Sequence, residues 1–108
     1  MAKVTTKIEE IVSHYSKELE KMGIQVEKVF LYGSYAHGRS HEGSDIDLII
    51  ISSDFGNMGL LKRMETLGAA SGRIMEPVEA FGFTPEEIDK GELPPFLSEI
   101  LEKEAIAL

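Results

Sequence analysis

Asp45 and Asp47, separated by one residue, head the most aliphatic run in the chain, Leu48 to Ile51. On a strand both side chains would point to the same face. Two carboxylates held side by side repel each other unless a cation sits between them. A divalent ion such as Mg²⁺ takes one or two carboxylates and keeps its other positions for substrate phosphates. Upstream, Gly33-Ser34 ends a second apolar run. Glycine lets backbone approach a ligand, and the following N–H groups, with the Ser34 hydroxyl, can cradle phosphate oxygens. A phosphate grip beside a metal grip points to nucleotide chemistry. Each half has a plainer reading: the aspartates as edge-strand charges in solvent, Gly33 and Gly38 as turn glycines, Ser34 as a helix cap. The aliphatic run after the aspartates argues for a central strand, which favours the metal.

Gly33-Ser34, Gly38 and Ser44-Asp45-Ile46-Asp47-Leu48, with ten residues between Ser34 and Asp45, resemble the GS…G…SDxDL signature of the minimal nucleotidyltransferases. Those belong to the DNA polymerase beta and kanamycin nucleotidyltransferase superfamily. The resemblance implies an α/β (α+β) fold, a small mixed β-sheet with helices packed on one face. It implies two Mg²⁺ ions on Asp45, Asp47 and a third carboxylate, and an NTP substrate, ATP before the others. The nucleotide-binding positions it implies are Gly33, Ser34, Gly38, Arg39 and Ser44. Arg39 could contact phosphate as a fork of donors. The family's third carboxylate comes from the next strand, in a pattern resembling V-D-L-V. Val78-Glu79-Ala80-Phe81 occupies that place, with glutamate where aspartate is usual. A glutamate inside an otherwise apolar strand needs a reason, although a strand-edge glutamate in solvent is the plainer one. Glu76 is a weaker stand-in.

The implied reaction is transfer of a nucleoside monophosphate from an NTP to an acceptor hydroxyl. Similar small proteins act as the antitoxin of a pair with an all-helical HEPN partner, the acceptor being a tyrosine on the toxin. Two alternatives stand beside this. One is a catalytically inactive antitoxin or binding module acting by contact alone. The other is an enzyme for a small hydroxylated molecule such as an aminoglycoside.

The elements that must position these residues follow from periodicity. Ile8, Ile11, Val12, Tyr15, Leu19 and Met22 repeat at helical spacing, and Gly23 stops that helix. Gln25 to Tyr32 reads as a strand, Ser34 to His37 as a short helical turn, His41 to Ser44 as a loop, and Asp45 to Ser52 as a second strand. Ser53 to Met58 reads as a loop. Leu60, Leu61, Met64, Leu67 and Ile74 predict a helix, with the methionines as core filler. Pro77 to Phe83 is a third strand, with Glu79, Phe81 and Phe83 on one face. Thr84-Pro85-Glu86-Glu87 is a capping box opening a short helix to about Lys90. Phe96, Leu97, Ile100, Leu101, Ala105 and Leu108 predict a last amphipathic helix.

Length and composition set the frame. The 108 residues fit one nucleotidyltransferase domain spanning 1–108. A net charge of −8 argues against direct nucleic-acid binding. The absence of cysteine excludes thiolate metal sites and disulfides and is compatible with a cytoplasmic setting. Three histidines (His14, His37 and His41) are too few for a zinc site without cysteine and read as surface residues. No apolar run approaches membrane-spanning length. The oligomeric state is left open.

Overall fold

The computed structural model describes residues 6–38 and 44–108. Among the described residues the α-helices and strands follow in the order α1 (Thr6–Lys21), β1 (Lys28–Tyr32), β2 (Ile46–Ile51), α2 (Leu60–Ile74), β3 (Val78–Phe83), α3 (Pro85–Asp89), α4 (Pro95–Lys103) and β4 (Ile106–Ala107). The sheet order is β3-β2-β1-β4. β1 runs antiparallel to β2 and to β4, whereas β2 and β3 are parallel. The sheet is mixed, and β2, the aliphatic run headed by the aspartates, is central as expected.

Alternation along β2 divides the interior. Ile46, Leu48 and Ile50 join the larger apolar cluster with Val12, Tyr15 and Leu19 of α1 and Leu67, Ala70 and Ile74 of α2. The two long helices thus cover one face. Tyr15 is fully buried and donates its hydroxyl to the Leu67 carbonyl at 2.8 Å, tying α1 to α2. Burial pushes the Tyr15 phenol well above its ordinary pKa. Ile49 and Ile51 point to the opposite face, where Phe83, Leu93 and Leu97 form a smaller cluster. The short α4 packs on that face through Leu97, with Ile100 and Leu101 against the same cluster.

A second tie holds α2 to β3 and α3. Arg63 donates to both Glu87 carboxylate oxygens, at 2.7 and 3.0 Å, and to the carbonyls of Met58 and Gly82. Glu87 also completes the Thr84 capping box, which forms as the sequence predicts. The hydrogen bonds from Arg63 hold the Glu87 carboxyl below the usual carboxylate range, against the opposing effect of burial.

Three sequence expectations are corrected. Ser53 to Asn57 is a 3₁₀ turn, not a loop, capped by Ser52 and closed over the buried Phe55 ring. Gly82 makes room for that ring, since a Cβ there would lie 2.6 Å from Phe55 Cζ. The last helix stops at Lys103, where the Ala105 N–H bonds back to Ile100, and Ile106–Ala107 pairs with Phe30 and Leu31 as a strand. In α2 the inward face is Thr66, Leu67, Ala70 and Ile74, while Leu60, Leu61 and Met64 are exposed and fill no core. Met75 is exposed as well, whereas Met22 and Met58 do pack on the larger cluster.

Candidate active site

Strand register assembles one row across three strands. Tyr32 of β1 faces Asp47 of β2, and Asp47 faces Glu79 of β3. Directly paired residues share a face, so the three side chains lie side by side at one end of the sheet. The next row is Phe30, Ile49 and Phe81, all within or against the smaller apolar cluster. The row is therefore two carboxylates and a phenol on an apolar floor.

That floor shapes the electrostatics. Asp47 is half-buried, and its carboxyl is pushed up first by burial and then by the charges of Glu79 and Asp45. The Tyr32 phenol is pushed up to about 12 by burial, with Asp47 and Glu79 adding to it. A carboxylate whose pKa is raised by burial and by neighbouring negative charge is one that a cation would relieve. Asp45 lies just ahead of β2 and is exposed, as is Glu79 on the edge strand. Among the described residues no group of three His, Asp or Glu side chains is gathered closely enough to hold a metal ion as they lie.

The turn after β1 meets this row through its backbone. Gly33 has φ 75°, a left-handed conformation that glycine adopts without strain. A Cβ there would run into Asp47 Oδ2 and lie 3.2 Å from its Cγ, so no other residue allows the turn to sit this close to the carboxylate. From Gly33 the chain makes one tight helical turn. Ala36 N–H bonds to the Gly33 carbonyl at 3.1 Å and His37 N–H to the Ser34 carbonyl at 3.2 Å, before Gly38 ends the turn at φ 68°. Ser34 and Tyr35 are half-buried in it, and His37 Nε2 is buried with no hydrogen-bond partner among the described residues.

Of the predicted site residues, the fold brings Gly33, Asp47 and Glu79 together, with Ser34 and Asp45 one position beyond Gly33 and two before Asp47 in the chain. Ser44 is buried next to Asp45. Arg39 and His41 lie outside the described residues. Tyr32 was not among the sequence candidates. Its place opposite Asp47 depends on the β1–β2 register, which a long connection does not fix in advance. A groove of about 320 Å³ between α2 and the β3 edge reaches the row at Glu79, lined there by Met64, Gly68 and Phe81.

Solved structures share this fold at low identity. A toxin–antitoxin complex with AMP-PNP aligns at TM-score 0.62 and 18% identity, covering 92% of this chain and 69% of that one. A mutant of the toxin–antitoxin MntA-HpeT, with two aspartates changed to glutamate, gives 0.60 and 16%, with the same 92% and 69% coverage. A Sulfolobus solfataricus protein described as a candidate nucleotidyltransferase gives 0.51 and 23%, covering 83% of this chain and 84% of that one. No curated protein matches the chain. The family model for the nucleotidyltransferase domain, however, matches residues 7–108, and the chain belongs to the nucleotidyltransferase domain family.

Proposed function

We propose that the protein transfers a nucleoside monophosphate from ATP to an acceptor hydroxyl, releasing pyrophosphate. The observation that carries this reading is the register pairing of Asp47 with Glu79 beside a turn whose glycine packs on Asp47. In the reaction a bond forms between the acceptor oxygen and the α-phosphorus, and the bond from that phosphorus to the β-phosphate bridging oxygen breaks. The electron pair leaves with pyrophosphate, and the hydroxyl proton passes to a carboxylate or to water. Two Mg²⁺ ions on Asp45, Asp47 and Glu79 would neutralise charge on the attacking and leaving oxygens. The N–H groups at Gly33 and Ser34, with the Ser34 hydroxyl, hold the outer phosphates. Gly38 closes the turn that presents them, and Arg39 and Ser44 flank the nucleotide. Glu79, exposed on the edge strand, is the carboxylate with room beside it for an incoming hydroxyl, which it orients.

The described residues form the nucleotidyltransferase domain alone, and we assign presentation of the acceptor to another molecule. The toxin–antitoxin neighbours, one of them with the ATP analogue AMP-PNP, support a toxin partner, and we assign the acceptor to a helical HEPN-type toxin. Contact-only neutralisation is the second reading, favoured by the exposure of Glu79 and by the lack, among the described residues, of three carboxylate or histidine side chains gathered as they lie. The test incubates the protein with α-labelled ATP, Mg²⁺ and a purified HEPN-type protein, and reads nucleotide mass on the acceptor. An adduct formed by wild type and reduced by orders of magnitude in Glu79→Gln is the expected result. Tight binding without an adduct from either protein would select the contact-only reading.

A further inference from the structure

Tyr15 and Tyr32 both press a ring into the interior, and the fold uses the hydroxyl of only one of them. Tyr15, in the larger cluster, donates its O–H to the Leu67 carbonyl. Tyr32, on the opposite face of the sheet, is half-buried with its ring against the smaller cluster. No group among the described residues hydrogen-bonds its hydroxyl. Packing therefore explains an aromatic ring at this position but not a phenol. Phenylalanine would fill the same space, as Phe30 and Phe81 do in the next row.

The row supplies what the core does not. Tyr32 pairs with Asp47 and Asp47 with Glu79, and the charges of both carboxylates reach the phenol. Neighbouring strands lie about 4.8 Å apart, so Tyr32 and Glu79 stand on opposite sides of Asp47, roughly 10 Å from each other. Tyr32 also leads directly into the Gly33-Ser34 turn. In the transfer proposed above, on which this inference rests, the acceptor hydroxyl comes in at Glu79 and the outer phosphates lie at the turn. In-line displacement keeps attacking and leaving oxygens on opposite sides of the phosphorus. With the acceptor on the Glu79 side, pyrophosphate departs on the Tyr32 side. A carboxylate at that place would repel phosphate, and a phenylalanine would offer it no bond. A phenol is uncharged at neutral pH and donates one hydrogen bond.

We propose that Tyr32 is a pyrophosphate-binding residue, its O–H donating to a β-phosphate oxygen of the bound nucleotide and staying bonded as pyrophosphate leaves. The phenol keeps its proton throughout, so the contact adds no step to the transfer. It favours ligands that carry a β-phosphate over monophosphates.

Tyr32→Phe keeps the ring and removes the donor. Calorimetry on wild type and variant, in Mg²⁺, uses ATP, inorganic pyrophosphate and AMP as probes. Losing a hydrogen bond to a charged group should weaken ATP and pyrophosphate binding by about tenfold or more and leave AMP unchanged. Urea unfolding without ligand should be the same for both proteins. The chain has no tryptophan, so tyrosine absorbance gives a second readout, which pyrophosphate should perturb in wild type and less in Tyr32→Phe. Wild type and variant binding pyrophosphate equally well would overturn the inference and leave the nucleotide reading standing. So would a loss shared by AMP, or a fall in unliganded stability that makes the hydroxyl structural. A wild type that binds neither Mg²⁺-ATP nor pyrophosphate would instead overturn the nucleotide reading itself, and this inference with it.

Discussion

Gly33→Ala probes the contact on which the site depends, the turn backbone against Asp47. Two costs add at this position. The left-handed φ of 75° costs an alanine about 1–2 kcal/mol. The new methyl also overlaps Asp47 Oδ2, and turning that side chain off its rotamer costs about 0.5–1.5 kcal/mol more. The loss of stability should be roughly 2–3 kcal/mol in total. Gly38 and Gly23 separate the two terms, since both have positive φ and open space where a Cβ would go. Gly38→Ala and Gly23→Ala should therefore show the backbone cost alone, with the same unfolded-state offset. Urea unfolding of the three variants gives the comparison. In an Asp47→Ala background the excess at Gly33 should vanish while the φ cost remains, a double-mutant coupling of about 0.5–1.5 kcal/mol. Equal losses at Gly33 and Gly38, additive with Asp47→Ala, would refute the close approach of turn and carboxylate.

Arg63→Met should destabilise the fold by roughly 2–3 kcal/mol, the lower end for a broken buried pair, because Glu87 keeps 27% of its side chain in water; thermal unfolding measures it, and Arg63→Lys should not restore the two-pronged bond. Since the folded Glu87 pKa is depressed, its contribution is fully present above the unfolded carboxyl pKa and is lost as pH falls through the folded value, so the Arg63→Met deficit should shrink in acid. Asp47 has the opposite sign. Its raised pKa means that folding opposes ionisation, and stability falls as pH rises from the unfolded value through the folded one. Asp47→Asn should raise the melting temperature of the metal-free protein at neutral pH and lose that advantage below about pH 4, where an unfolded aspartate is protonated. Tyr15→Phe should cost about 0.5–1.5 kcal/mol in chemical denaturation, the net worth of the lost hydrogen bond to the Leu67 carbonyl.

How far the sequence reveals this site depends on how local each signal is. The run Asp45 to Ile51 announces a central strand because its aliphatic tail can be satisfied only by burial on both faces. The alternation Val78, Glu79, Ala80, Phe81 gives the face of Glu79 directly. Thr84 to Glu87 spells its own cap. Tyr32 was hidden because its neighbour across the sheet is fixed by register and not by its own sequence surroundings. Ile106–Ala107 continued an amphipathic helical pattern, and only the backbone edge of β1, with Leu108 N–H bonded to the Val29 carbonyl, turns it into strand. In α2 two apolar stripes share one helix, and periodicity cannot say which faces inward. The buried Thr66, Leu67, Ala70 and Ile74 settle that only in three dimensions. Gly82 likewise gains its reason from Phe55, far away in the chain.

The central claim is that Asp45, Asp47 and the turn at Gly33-Ser34 bind metal and nucleotide as one unit. Calorimetric titration of ATP into the protein, with and without Mg²⁺, tests it most directly when repeated on the Asp45→Asn/Asp47→Asn double variant. That variant removes two negative charges and little shape, so circular dichroism should show an intact fold. Binding of ATP that requires Mg²⁺ in wild type and collapses in the folded double variant is the predicted result. Unchanged Mg²⁺-ATP affinity in that variant would contradict the account.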